Sequence, residues 1–181
     1  HRVVHGGERF VDPTPLQEDV LTQLEGLSFL APLHNPANVA GIRAAMRALP
    51  EIPHVAVFDT AFHHTLPAAA STLALPEELR RQRGIRKYGF HGTSHRYVSG
   101  VASDLLGGDP AAHRVITLHL GNGSSATAIR GGQSIDTSMS FTPTAGLVMG
   151  TRPGDVDPAV VTFLLEHGGY SAAEIHTVLN S

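Results

Sequence analysis

Cysteine is absent from the 181 residues. Disulfides and thiolate metal sites are therefore excluded, and a reducing compartment is permitted. No apolar run approaches the roughly 18 residues of a membrane span, and no signal-peptide pattern is visible. A basic excess is missing too: the net charge is −3, so no field is present to recruit nucleic acid. Several catalytic fingerprints are also lacking. Gly150-Thr151-Arg152-Pro153-Gly154-Asp155 has neither the lysine of a Walker A loop nor the spacing of Gly-x-Gly-x-x-Gly. His91 and His95 stand four apart, but no Glu follows the first, which disfavours a zincin. His63 and His64 are adjacent, so their side chains should diverge. Ser71 and Ser94 lack the Gly-x-Ser-x-Gly elbow of α/β-hydrolases.

What remains is a globular composition, 41% hydrophobic and 16% charged, with twelve histidines. The length suits one ordinary domain or pieces of two. The chain opens at His1 inside a strand-like stretch, without an initiator Met, and stops just after a helical pattern. It reads as an internal segment of a longer protein.

Arg2 to His5 reads as the end of a strand. Pro15 to Leu27 and the stretch from Asn35 carry apolar residues at helical spacing, with Asn35 as N-cap and Pro36 at the first helical position. His54 to Phe58 is a short strand, and Asp59 follows its C-terminal end, the usual place for ligand contacts in α/β sheets. Pro76 to Gln82 and Ser94 to Leu106 read as helices. Arg114 to Leu120 is a near-continuous apolar run, predicting a buried central strand. With Ser125–Arg130 and Gln133–Ser138 it predicts an antiparallel meander. Asp157-Pro158 caps a further helix stopped at Gly168-Gly169, and Ser171-x-x-Glu174 is a capping box for the last one.

Two stretches carry the chemistry. Tyr88-Gly89-Phe90-His91-Gly92-Thr93-Ser94-His95 brings a histidine to a Gly-flanked bend at a helix start. Thr117-Leu118-His119-Leu120-Gly121-Asn122-Gly123-Ser124-Ser125 is a strand that breaks at Gly-Asn-Gly, where Asn-Gly signals a hairpin and glycine lets the backbone approach an anion. Arg2, Asp59, His91, Asn122, Arg152 and Asp155 all fall at strand ends or in punctuated loops. Two arginines suit bidentate recognition of phosphate or carboxylate oxygens. A helix N-terminus favours anions and disfavours an imidazolium, so His91 is expected to act as a neutral donor.

In this order the pieces resemble the acetate kinase (acetokinase) family. The matching stretches are His1 to Glu8, Ala31 to Asn38, Val55 to His63, Tyr88 to His95, His119 to Ser124, Asp136 to Met139, and Gly146 to Arg152. The resemblance implies an α/β chain with the actin-like ATPase fold, built from two ribonuclease-H-like domains. Residues 1–62 would close the first domain and 63–181 open the second. It implies reversible transfer of the ATP γ-phosphoryl group to acetate, with Mg²⁺, in a cytoplasmic homodimer that engages neither nucleic acid nor membrane. By this resemblance Arg2, Asp59, His91 and Arg152 are catalytic, with His91 and Arg152 stabilising the transition state and Asp59 organising the arginines and the metal shell. Arg2, Val4, Leu33, His34, Phe90 and Pro143 would bind the substrate. Val4, Leu33, Phe90 and Pro143 would hold the acetate methyl. His119, Asn122 and Gly123 would meet the nucleotide.

Metal ligands are expected to lie outside this segment, which alone should be inactive. An N-terminal strand-turn bearing Asn and Ser, an adenine-binding glycine loop and a metal-serving Glu have no counterpart in these residues. Ser140 and Thr144-Ala145 depart from the family pattern in the loop that carries Pro143. Propionate or butyrate kinase activity, and a non-catalytic phosphate- or nucleotide-binding module, are the competing readings.

Overall fold

A computed structural model describes residues 1–180. Strand β1 (Arg2–Val3) lies parallel to β3 (Val55–Phe58), and β2 (Thr14–Pro15) pairs antiparallel on the other side of β3. Helices α1 (Glu18–Gly26) and α2 (Asn35–Ala48) cover this sheet. Their apolar stripes supply Leu21, Leu24, Val39 and Ile42, which pack on Val3, Ala56 and the Phe10–Phe58 stack. Arg43 of α2 holds Glu18 and Glu25 of α1, fastening the pair on its solvent side.

After β3 the chain passes through a 3₁₀ turn (Ala61–Thr65), then α3 (Ala68–Ser71), α4 (Glu77–Arg83) and α5 (Gly92–Leu106). A meander follows, with β4 (Arg114–Leu120), β5 (Ser124–Arg130) and β6 (Gln133–Thr137) antiparallel in that order. Helices α6 (Pro158–Glu166) and α7 (Ala172–Val178) finish the described chain. Asp157 accepts the Ala159 N–H, and Ser171 and Glu174 close their reciprocal capping box.

Four local expectations are corrected. The helix predicted from Pro15 begins at Glu18, because Pro15 is spent pairing β2 with Val55. Asn35 is not the N-cap of α2; His34 is. The buried Asn35 amide instead reaches back to the main chain of His5, accepting its N–H at 3.1 Å and donating to its carbonyl at 3.0 Å. The Asn-Gly pair does not form a positive-φ hairpin turn, since neither Asn122 nor Gly123 has positive φ. Among the described residues strand β4 is neither buried nor central. It lies at the edge of its sheet, with Ile116, Leu118 and Leu120 from 57% to 75% exposed. Its inward face, toward α5, carries Thr117 and His119, which hydrogen-bond to residues of that helix. The apolar residues are therefore left on the outer face.

Candidate active site

Parallel pairing of β1 with β3 puts Arg2 beside the end of β3, where Asp59 follows. The Asp59 N–H donates to the Val3 carbonyl at 3.0 Å, extending the pairing by one step. The side chains then meet as a fork: Arg2 Nε donates to Asp59 Oδ1 at 2.8 Å and Nη2 donates to Oδ2 at 2.6 Å. This hydrogen bonding raises the Arg2 pKa, so the guanidinium is permanently charged. Asp59 is only 3% exposed, whereas Arg2 is 62% exposed and opens on the cleft. Asn38, one turn beyond Asn35 on α2, accepts the Val4 N–H at 3.1 Å. Together the two asparagines hold the stretch that aims Arg2 and Val4.

His91 sits just before α5 at φ 58°, and among the described residues it is the only non-glycine with positive φ. Its backbone is pinned on both sides. His63 Nε2 donates to the Phe90 carbonyl at 2.9 Å, and the Gly92 N–H donates to the Asp59 carbonyl at 2.8 Å. A side chain on Gly92 would run into that same Asp59 carbonyl. The His91 ring stacks on His119 with centroids 4.0 Å apart. Burial, more than any neighbouring charge, pushes the His91 pKa down to about 4. The ring is thus neutral near pH 7, with desolvation as the main cause.

Arg152 comes from the loop before α6. Its Nη1 donates to the Pro143 carbonyl at 2.6 Å, and burial lowers its pKa without discharging it. Its Nη2 lies against Gly123, where an added Cβ would fall 2.6 Å from that nitrogen and 3.3 Å from His91 Nε2. Glycine is required here for close approach, not for its dihedral freedom. Gly123→Ala should leave the fold intact, because the end of Arg152 is flexible, yet lower kcat/KM roughly tenfold or more by displacing that guanidinium. Parallel thermal melts and steady-state kinetics check this.

These side chains share one cavity of about 380 Å³, lined by Arg2, Val4, His34, Asn38, Asp59, Phe90, His91, His119, Gly123, Pro143 and Arg152. Two guanidinia against one carboxylate leave it net positive. Burial, with Arg152 and Arg2 nearby, lowers the His34 pKa. Val4, Phe90 and Pro143 form an apolar wall, with Phe90 backed by the buried Met139. Leu33, predicted for that wall, is 58% exposed and does not line the cavity. Asn122 stands behind Gly123, its carbonyl accepting the Gly150 N–H at 3.2 Å. Asp155 is removed from the cavity; it accepts the Gly146 N–H at 2.8 Å and braces the 146–155 loop. Ser140 acts through its main chain, its carbonyl accepting both the Tyr88 and Gly89 N–H groups. Asn38 was missed because its role is a hydrogen bond to a strand 34 residues away in sequence.

Among the described residues no three His, Cys, Asp or Glu side chains are placed to hold a metal ion, and both oxygens of Asp59 are engaged by Arg2. These residues do not build a metal cage.

A positive cavity with two arginines, a neutral histidine and a small apolar wall defines a site for a compact anion with an apolar end. In an α/β frame this is the kind of site that handles phosphoryl or carboxylate groups.

Comparison with known proteins narrows this class. The family model described as the acetokinase family matches residues 1–181, and the chain belongs to that family of kinases. It is 57% identical over 180 residues to an acetate kinase of Fervidobacterium nodosum, covering 99% of this chain and 44% of that protein. It is 58% identical over 180 residues to an acetate kinase of Streptomyces coelicolor, covering 99% of this chain and 44% of that protein. Among solved structures, a propionate kinase from Francisella tularensis superposes with a TM-score of 0.95 at 49% identity, over 100% of this chain and 47% of that one. An acetate kinase from Porphyromonas gingivalis gives 0.92 at 50% identity, over 100% and 45%. The fold is therefore that of these kinases, the actin-like ATPase fold. The chain spans less than half the length of these relatives.

Proposed function

We propose that the protein containing these residues transfers the γ-phosphoryl group of ATP reversibly to acetate, giving acetyl phosphate and ADP by direct in-line displacement. The observation that carries this is the convergence of Arg2, Arg152 and neutral His91 on one cavity with an apolar wall. Acetate is ionised at pH 7 and is already a nucleophile, so no general base is required. Val4, Phe90 and Pro143 take the methyl group, and Arg2, held by Asp59, takes the carboxylate. In the transition state charge spreads over the equatorial oxygens of the moving phosphoryl group. Arg152 neutralises that charge, and His91 donates one hydrogen bond to it. Gly123, with Asn122 behind it and His119 beside it, borders the nucleotide phosphates.

ATP brings Mg²⁺ on its phosphates, an ion that commonly keeps several waters and takes only one or two protein carboxylates. The cleft carboxylate, Asp59, is committed to Arg2 through both of its oxygens. We also infer a division near residue 62, where the two small sheets separate in sequence, and a homodimer working in the cytoplasm. Among the described residues no helix is long and apolar enough to cross a membrane.

The similarity to a propionate kinase favours one second reading, a longer acyl acceptor. Comparing kcat/KM for acetate, propionate and butyrate in the complete enzyme decides between them. We expect acetate to be preferred and propionate to react more slowly, by the roughly 10–200-fold that one methylene is worth. Preference for propionate or butyrate establishes the second reading. Nucleotide binding with no acyl phosphate formed from any acid makes the chain part of a binding module.

A further inference from the structure

Behind His91 lies a buried chain of hydrogen bonds that substrate contact does not require. His91 Nδ1 is 2.8 Å from Ser125 Oγ on β5. The same Ser125 oxygen is 2.7 Å from His95 Nε2 on α5. His95 Nδ1 in turn is 2.7 Å from Thr117 Oγ1 on β4. Ser125, His95 and Thr117 are all buried. Burial pushes His95 down to about 3, so like His91 it is neutral near pH 7.

A neutral imidazole has one N–H and one bare nitrogen, and a hydroxyl has one hydrogen to give. Ser125 accepting from both rings would bury its own hydrogen without an acceptor, since its oxygen has no other partner among the described residues. The chain therefore runs in one of two senses, and its far end selects one. Among the described residues the Thr117 hydroxyl has a single hydrogen-bond partner, His95 Nδ1. If His95 donated to Thr117, the threonine hydrogen would be buried without an acceptor, at a cost of about 1–3 kcal/mol. Thr117 therefore donates to His95 Nδ1, His95 Nε2 donates to Ser125, and Ser125 donates to His91 Nδ1. The remaining His91 proton is left on Nε2, the nitrogen beside Gly123 and Arg152. That end agrees with the other, because a cavity furnished with two arginines takes an acceptor-rich anion, toward which a bare nitrogen would be repulsive. A neighbouring relay is built on the same logic. His63 Nε2 can only donate to the Phe90 carbonyl, so its Nδ1 accepts from Ser134 at 2.9 Å.

We propose that Ser125, His95 and Thr117 are positioning residues, a one-way hydrogen-bond chain that holds His91 as its Nε2–H tautomer and so presents a donor to the transferring phosphoryl group. This rests on the phosphoryl-transfer reading of His91. The chain moves no net proton during turnover; it fixes where the proton resides.

The test uses the complete enzyme labelled with ¹⁵N in its histidine rings, with His91 assigned by comparison with His91→Ala. In the wild-type protein near pH 7, His91 Nδ1 should show the shift of an unprotonated nitrogen and Nε2 that of a protonated one. Ser125→Ala should give mixed tautomers, with kcat about 10–100-fold lower, the scale known for losing the hydrogen-bond partner of a metal-bound histidine. KM values for acetate and ATP should stay within about twofold, since tautomer choice matters most where charge develops. Thr117→Val should act in the same direction, and Thr117→Ser, which keeps the hydroxyl, should restore the wild-type pattern. A protonated Nδ1 in the wild-type protein overturns the proposal without any variant. So does a Ser125→Ala enzyme with unchanged kcat, provided His91→Ala is impaired. Full activity in His91→Ala would instead defeat the underlying assignment of His91.

Discussion

Replacing Arg152 with alanine in the complete enzyme should lower kcat by about 10²–10³, the scale of losing one oriented donor from a transition state. The geometry explains why the loss should fall on kcat. Nη1 is anchored on the Pro143 carbonyl at 2.6 Å, which fixes the plane of the guanidinium. Nη2 is left facing Gly123 and His91, in the part of the cavity assigned to the moving phosphoryl group. The group is partly buried, as its lowered pKa reports, so its field is less screened than that of a surface arginine. Ground-state ATP has its charge spread over three phosphates, and any one contact there adds little. Metaphosphate-like transfer concentrates the demand on donors around a single phosphorus. Arg152→Lys should recover little, because an ammonium cannot hold Pro143 and reach the phosphoryl oxygens at once. Steady-state kinetics with both substrates varied is the measurement. An unchanged kcat would remove Arg152 from the chemistry.

How much of this was legible beforehand divides along the range of the interactions. The caps at Asp157 and Ser171, the Gly131-Gly132 turn between β5 and β6, and the divergence of His63, buried against Ser134, from His64, exposed beside the Ala61 carbonyl, are decided within a few residues, and the sequence carries them openly. Of the six residues singled out at strand ends or in punctuated loops, Arg2, Asp59, His91 and Arg152 line the cavity, where α/β proteins place ligand contacts, and Asn122 and Asp155 do not. What failed was nonlocal. The apolar run of β4 hides which face turns toward α5, and that face is the polar one, where Thr117 and His119 meet His95 and Ser94. Asn35 looks like a cap until His5, 30 residues earlier, is placed beside it. Ser125 reads in the sequence as no more than the start of a strand. Only the fold shows two histidines sharing its oxygen.

Asp59→Ala is expected to cost about 10²-fold in kcat while shifting the melting temperature little. The asymmetry follows from exposure. Asp59 is buried, but its partner Arg2 is 62% exposed, so removing the carboxylate strands no charge in a dry interior. The loss is instead one of orientation. Two hydrogen bonds, from Nε and Nη2, now hold the Arg2 plane. Without them a long, solvated side chain samples many rotamers, and productive alignment with the carboxylate of acetate becomes rare. Asp59→Asn should fall between, since an amide keeps one acceptor but sets an NH₂ against the guanidinium. The same variants separate two ways in which Asp59 could act. Because both of its oxygens are on Arg2, the Mg²⁺ concentration giving half-maximal rate should be unchanged in Asp59→Ala. A large rise in that concentration would show that the carboxylate serves the metal shell instead, and that the fork with Arg2 gives way when the nucleotide binds.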